Sequence, residues 1–339
     1  VVTLSGGVVS SDGTSARTLA NAVSMGGTVT LGDGTKNGTL TFGGGTLTAN
    51  TTLNAASPVV FNGPLSGGYT FTKGGLGEVT LSGTNTYTGL TTVSLGTLTL
   101  GGGTAIQDAA GVQVNSGATL KLSSNETIGT LNGTGTVSLQ SNTLTVGGSG
   151  ASLVSGVMSG TGALVKSGSG TMTLDVANTF SGGTTVSGGG VLVINPAGFG
   201  SGTVSLSGGV VSSDGVTARS ISNGYTLGGS VTLGDAVKAG VLTFAGNGTV
   251  ISPTTLTTLS DVVLGGVLGG GFSLTKEGAG VLRLAGANTF AGGATVRAGV
   301  VHLGNDAAFG TGVVALEGGV VSSDGVVART MANAVTMGG

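Results

Sequence analysis

The stretch "LSGGVVSSDG" at residues 4–13 returns letter for letter at 206–215 and again at 316–325, where Glu317 replaces the first serine. A chain that copies itself in this way does not fold around one unique core. Each copy must bury its apolar face against its neighbours, so internal repetition selects a stacked, quasi-one-dimensional architecture. A second family of copies supports this: "TKGGLGEVTLSGTNTYTG" (72–89), "VKSGSGTMTLDVANTFSG" (165–182) and "TKEGAGVLRLAGANTFAG" (275–292). Its markers are Lys73, Lys166 and Lys276, followed by Asn85-Thr86-Tyr87, Asn178-Thr179-Phe180 and Asn288-Thr289-Phe290. A third family pairs "INPAGFGSGTVSL" (194–206) with "LGNDAAFGTGVVAL" (303–316).

These anchors divide one continuous solenoid (1–339) into repeat units at 1–111, 112–202 and 203–312, with a fourth beginning at 313–339. The units hold 111, 91 and 110 residues, so the second is short by about 20. The loss of one whole coil leaves neighbouring coils in register, which predicts coils of about 19–22 residues and roughly 18 of them. Because the chain starts and stops inside the same motif, the expectation is a window on a longer array.

Within a unit the text is a series of short alternating runs, such as "TVTLGD" (28–33), "EVTLSG" (78–83) and "TLTLGG" (97–102). Period-two alternation between turn residues reads as strands with one buried face. The nearest approach to a helical run, "ARTLANAVSMGG" (16–27), is replaced in the third unit by "ISNGYTLGG" (221–229), which suits a strand or loop. Seventy-three glycines, 4% aromatic residues and 7% charged residues cannot fill a large globular core. A thin interior between parallel coils suits Val, Leu, Ile and Ala, and glycine permits sharp corners. The predicted fold is all-β, a parallel β-helix.

Composition also narrows function. Eleven Lys and Arg spread over the whole chain make no basic stripe for nucleic acid. No run reaches the ~18 apolar residues of a membrane helix, so no membrane insertion of this segment is expected. Without cysteine there are no disulfides and no thiolate metal sites.

The segments "NSGATLKL", "NETIGTLNGTGTVSLQSNTLTVGG", "LVKSGSGTMTL" and "ANTFSGGTTVSGGGVLVIN" resemble the autotransporter-associated β-strand repeat, also called the passenger-associated transport repeat. The pattern Lys-x-Gly-x-Gly, a strand, then Ala-Asn-Thr-aromatic-x-Gly-Gly-x-Thr-Val is met at 166–186 and 276–296. The first copy departs from it, with Gly74-Gly75-Leu76-Gly77 after Lys73 and Leu90 in place of the second glycine. The resemblance implies a right-handed parallel β-helix, secreted or held on the surface of a Gram-negative-type bacterium. It also implies a signal peptide upstream and a C-terminal β-barrel downstream.

Candidate chemistry is sparse. His302, the sole histidine, falls at the strand position of Thr99 and Val193 and lacks triad partners. Asp33 and Asp235 recur at strand ends and read as turns; Asp108 and Asp306 precede Ala-Ala in corresponding loops. No clustered Asp series suggests calcium, and the Gly101–103 and Gly188–190 clusters lack phosphate-loop spacing. The threonine rows at 46–52 and 254–258 are too irregular for an ice-binding lattice. Lys73, Lys166 and Lys276 read as solvated charges at turns that also discourage edge aggregation. Tyr87, Phe180 and Phe290 read as interior plugs of the repeats.

In the opening motif, Asp12, Asp214 and Asp324 each precede an arginine by five: Arg17, Arg219 and Arg329. The expectation is a bulged Asp-Gly corner with the arginine returning to the aspartate. No catalytic, cofactor or metal site is predicted. The sequence reading is a structural segment of a fibre, filament or passenger stalk, with an adhesin or polysaccharide-binding passenger as the alternative. Expected partners are further copies of itself, end to end or laterally, or surface glycans or proteins of a host or neighbouring cell.

Overall fold

The computed structural model describes residues 1–325 and 327–338; Val326 and Gly339, within the expected fourth repeat, lie outside the described residues. No helix occurs among the described residues, and the strands stack as a β-solenoid of about 17 turns. The chain forms two compact units, Val1–Gly170 with Asn178–Gly182, and Thr171–Ala177 with Gly183–Gly339.

In the first unit, one parallel sheet runs strand over strand through Arg17–Leu19, Leu40–Phe42, Val59–Phe61, Val79–Leu81, Gly96–Leu100, Ala118–Leu122, Thr136–Gln140 and Met158–Gly160. A second sheet holds the longer strands Val23–Leu31 and Gly45–Ala55, followed by Phe71–Gly74, Thr91–Val93 and Gly111–Val114. Each strand pairs with its counterpart one coil away in sequence. Val59 faces Val79; the shortest step in this sheet joins Thr119 to Thr136, and the longest joins Arg17 to Leu40. Alternation decides the interior: in Val59–Phe61 and Val79–Leu81 the outer residues are buried and the middle one is half-exposed. Like then stacks on like, as Phe42 on Phe61 with ring centroids 5.3 Å apart.

The second unit repeats the plan. One sheet orders Arg219–Ile221, Leu242–Phe244, Val262–Leu264, Val281–Leu284, Val300–Leu303 and Val320–Ser323. The other stacks Val204–Leu206, Tyr225–Leu233, Gly248–Thr258, Leu274–Glu277, Ala294–Val296, Val314–Leu316 and Val335–Met337. Here the coil length holds constant from Leu274 to Ala294 to Val314.

Glycine sets how closely the corners stack. A Cβ at Gly63 would lie 1.5 Å from the Gly43 carbonyl oxygen, and one at Gly266 would lie 2.3 Å from that of Gly246. Gly83 and Gly286 continue these rows, where backbone rests directly on backbone.

Candidate functional site

The chemistry of this molecule lies inside its corners. Phe71–Gly74 alternates inward and outward, so Phe71 and Lys73 share the interior face while Thr72 points out. Leu164 and Leu274 place Lys166 and Lys276 inward in the same way. All three lysines are buried, which corrects the expectation of solvated turn charges. Lys73 is in register with Leu53 on one side and Val93 on the other, in an otherwise aliphatic column.

A buried ammonium must find acceptors, and the corner supplies them. Lys73 Nζ donates to the carbonyl oxygens of Gly74 (3.0 Å), Gly75 (2.7 Å) and Leu95 (2.7 Å). Lys276 Nζ donates to those of Glu277 (2.8 Å), Gly278 (2.8 Å) and Ala298 (3.1 Å). Lys166 Nζ donates to the Gly168 carbonyl. Each full cage joins the turn of its own coil to the turn of the next. Glycine completes it: Gly75 has φ 72° and Gly278 φ 78°, which turn their carbonyls inward. In the following coil a Cβ at Gly96 or Gly299 would lie 2.8 Å from the caged Nζ, and both have positive φ. Burial pushes Lys73 and Lys276 down to about 8 against weak opposition from Glu78 and Glu277, and lowers Lys166 as well. Lys73 and Lys276 remain largely charged at neutral pH.

The Asn-Thr-aromatic marker forms a second fastening. Asn85 Oδ1 accepts from Leu65 N–H (2.6 Å) and its Nδ2 donates to the Ala105 carbonyl (2.7 Å). Asn288 does the same between Leu268 (2.7 Å) and Ala308 (2.6 Å), and Asn178 accepts from Met158 N–H (2.8 Å). A single side chain thereby bridges the coil before to the coil after. Tyr87, Phe180 and Phe290 are fully buried beside them, and the Tyr87 hydroxyl lies 2.7 Å from Thr91 Oγ1.

The family model described as Passenger-associated-transport-repeat matches at residues 71–100, 164–194 and 274–303. The chain carries three passenger-associated-transport repeats. Each matched segment begins at the strand that carries the inward lysine and contains the asparagine and the buried aromatic of the Asn-Thr-aromatic marker. Among curated proteins, this chain is similar to the Adhesin BmaC autotransporter of Brucella suis biovar 1 (strain 1330), with 37% identity over 92 residues. That similarity covers 24% of this chain and 3% of the relative, so the chain matches only a small part of the relative's length. No solved structure matches.

Outside the passenger-associated-transport repeats, the acids serve turns and pairs. Arg17 Nε donates to Asp12 Oδ1 (3.0 Å) and Nη2 to Oδ2 (2.5 Å), both side chains largely exposed. The same pair recurs with Arg219 and Asp214 at 2.8 Å. In the third copy the geometry differs: Asp324 lies 2.8 Å from Arg283 of an earlier coil and 3.7 Å from Arg329. Hydrogen bonds from the arginines hold Asp12 and Asp214 below the usual carboxylate range. Asp33 Oδ1 accepts from the Thr35 hydroxyl, Thr35 N–H and Lys36 N–H, which lower it to about 2; Asp235 accepts from Val237 and Lys238 N–H. The loops carrying Asp12 and Asp33 also brace each other through Gly38 N–H to the Gly13 carbonyl (3.0 Å) and Ser11 Oγ to the Lys36 carbonyl (3.1 Å). His302 sits mid-strand in register with Arg283 and Ser322. Among the described residues no group of three or more His, Asp or Glu is placed to hold a metal ion.

Proposed function

We propose that this solenoid is a structural stretch of an autotransporter passenger, displayed at or released from the surface of a Gram-negative-type bacterium. Its work is reach and mechanical continuity. The observation that carries the reading is the direction of the repeated polar contacts. The lysine cages and asparagine bridges join a coil to its neighbours along the stacking direction. The repeated motif therefore presents backbone-satisfied fasteners rather than groups free to meet a substrate, and the reading assigns the segment no catalytic step. The alternative follows from the name of the similar relative, an adhesin: the outer face of this segment would itself contact glycans or proteins of another cell. Contacts with further copies, end to end or lateral, are compatible with either reading.

The test uses the whole protein on its native cell, with residues 203–312 deleted as one repeat unit. Electron microscopy of the surface and binding of cells to a glycan- or protein-coated support are measured together. The structural reading expects a shorter projection with binding per displayed molecule retained. Lost binding with an unchanged projection would overturn it in favour of the adhesin.

A further inference from the structure

Charged residues make up 7% of this chain, against about 25% in ordinary soluble domains. Ionic hydration of its outer faces is therefore sparse, and much of their polarity comes from asparagine and threonine. Five Asn-x-Thr triplets occur, at Asn37, Asn50, Asn125, Asn132 and Asn247, none with proline at the centre. Asn-x-Thr is the acceptor pattern for a sugar on the side-chain amide nitrogen.

Parity separates these asparagines from those that fasten the interior. In Asn50-Thr51-Thr52, Asn125-Glu126-Thr127 and Asn247-Gly248-Thr249 the asparagine is exposed, the central residue buried and the last threonine exposed or half-exposed. Glu126 thus faces inward, and its two oxygens accept from Ile106 N–H (2.7 Å) and Ala105 N–H (3.2 Å). Residues two apart in extended chain share a face about 7 Å apart, so each amide stands beside its threonine hydroxyl on the outside. Asn85, Asn178 and Asn288 have the opposite parity: they are buried, with Tyr87, Phe180 and Phe290 two places on. The outward amides are also oriented. Asn50 Oδ1 accepts from Thr70 N–H (3.2 Å), Asn125 Oδ1 from Thr143 N–H (2.8 Å) and Asn247 Oδ1 from Val267 N–H (3.0 Å), each in the following coil. Their Nδ2 atoms have no partner among the described residues and are left to solvent. Asn132 lacks the clean alternation, since Gly133 is half-exposed.

We propose that Asn50, Asn125 and Asn247 are acceptor sites for N-linked sugar, supplied by a sugar-diphosphate donor. The new bond joins the anomeric carbon of the sugar to Nδ2. The bond from that carbon to the diphosphate breaks, the diphosphate leaves with the electron pair, and Nδ2 gives up one proton. Oδ1 takes no part, so its bond to the next coil survives and holds the first sugar against the outer face. Exposed Tyr69, beside Thr70, and exposed Val267 lie at two of the sites. A sugar there covers apolar surface and supplies neutral hydration where charge is scarce. The acceptor chemistry is the same whether the segment serves as stalk or adhesin.

Mass spectrometry of the protein isolated from its native cell, with fragmentation that keeps the sugar on its side chain, tests this. Hexose-type additions are expected on Asn50, Asn125 and Asn247, and none on Asn85, Asn178 or Asn288. Thr52→Val, Thr127→Val and Thr249→Val keep the strand and the asparagine and are expected to abolish the addition at the altered site. Thr52→Ser, Thr127→Ser and Thr249→Ser are expected to retain it. Transfer to the unmodified chain from UDP-glucose with the cell's soluble fraction marks a nucleotide-linked donor, and transfer from its washed membranes alone a lipid-linked one. Bare asparagine at two or more of the three sites, sugar placed on threonine instead, or additions that survive the valine variants overturn the proposal.

Discussion

Replacing Lys73 by Met isolates the cage, because Met keeps an unbranched apolar stem in the same interior column and removes only the ammonium. Three carbonyls, those of Gly74, Gly75 and Leu95, lose a charged donor. Hydrogen bonds to charged groups contribute about 1.5–3 kcal/mol each, so the gross loss is about 5–9 kcal/mol. Against this stands relief from burying the charge. A displacement from 10.5 to about 8 corresponds to about 3 kcal/mol at 1.36 kcal/mol per pH unit. The expected net destabilisation is about 2–6 kcal/mol. In a stacked fold this loss is local, so the assay is hydrogen exchange at Phe71–Gly77 and Thr91–Leu100, with Lys36→Met on an exposed loop as control. Unchanged or increased protection at the cage would refute the reasoning. The same numbers fix a pH response. Between pH 8 and 10.5 the unfolded chain binds more protons at these lysines than the folded one, so stability rises with pH there and is lost as pH falls back to 8. The rise is limited by Tyr87 and Tyr225, which burial raises; from pH 10 upward the folded chain holds protons that the unfolded chain has lost, and stability declines. Denaturant unfolding across this range should show a maximum near pH 10, and Lys73→Met should lower its acid-side slope.

Three further outcomes are expected. The Tyr225 hydroxyl is buried without a partner while its ring contacts Phe244 at 5.1 Å, so Tyr225→Phe should raise the thermal midpoint, with a gain of about 1 kcal/mol. Gly266→Ala, with its Cβ 2.3 Å from the Gly246 carbonyl oxygen, should destabilise by more than about 2 kcal/mol. Gly271→Ala, in open space, should stay within about 0.5 kcal/mol in the same melts. Deleting 254–273 removes one coil and brings Leu274 to the place of Thr254, so cooperative melting and strand circular dichroism should survive.

Much of the fold was legible because it is written as parity. Runs such as Val79-Thr80-Leu81 declare an inner and an outer face. Arg17 and Arg219 lie against the aspartates five residues before them, since so short a corner lets the chain return within reach. The third copy shows what spacing does not carry: Arg283, on a strand well upstream of Asp324, lies closer to it than Arg329 does. The lysines were misjudged for a different reason. Composition puts lysine outside, yet parity counted from Phe71 or Leu274 puts Lys73 and Lys276 inside. The signal was present in Leu-Thr-Lys and in the glycines that follow, whose carbonyls the turn frees. Glu126 offered no such signal, because its partners are amides of another coil.

The placement of these polar groups also fixes the register of the stack. An interior filled only with Val and Leu stacks equally well with any even slip of register, since every inward position accepts a similar side chain. A caged lysine does not. Lys276 finds its third carbonyl only when Ala298 is 22 residues ahead, and Lys73 only when Leu95 is. Asn288 bridges coils only when Leu268 and Ala308 stand 20 residues to either side. An even slip of register would take one acceptor of three from a buried ammonium and leave a buried amide unpaired, a penalty of about 1–3 kcal/mol against almost none for the aliphatic rows. Each fastener reads only its immediate neighbours, so removing a whole coil between fasteners preserves what every one of them requires. Register is therefore held by a few polar side chains that each read only the adjacent coils.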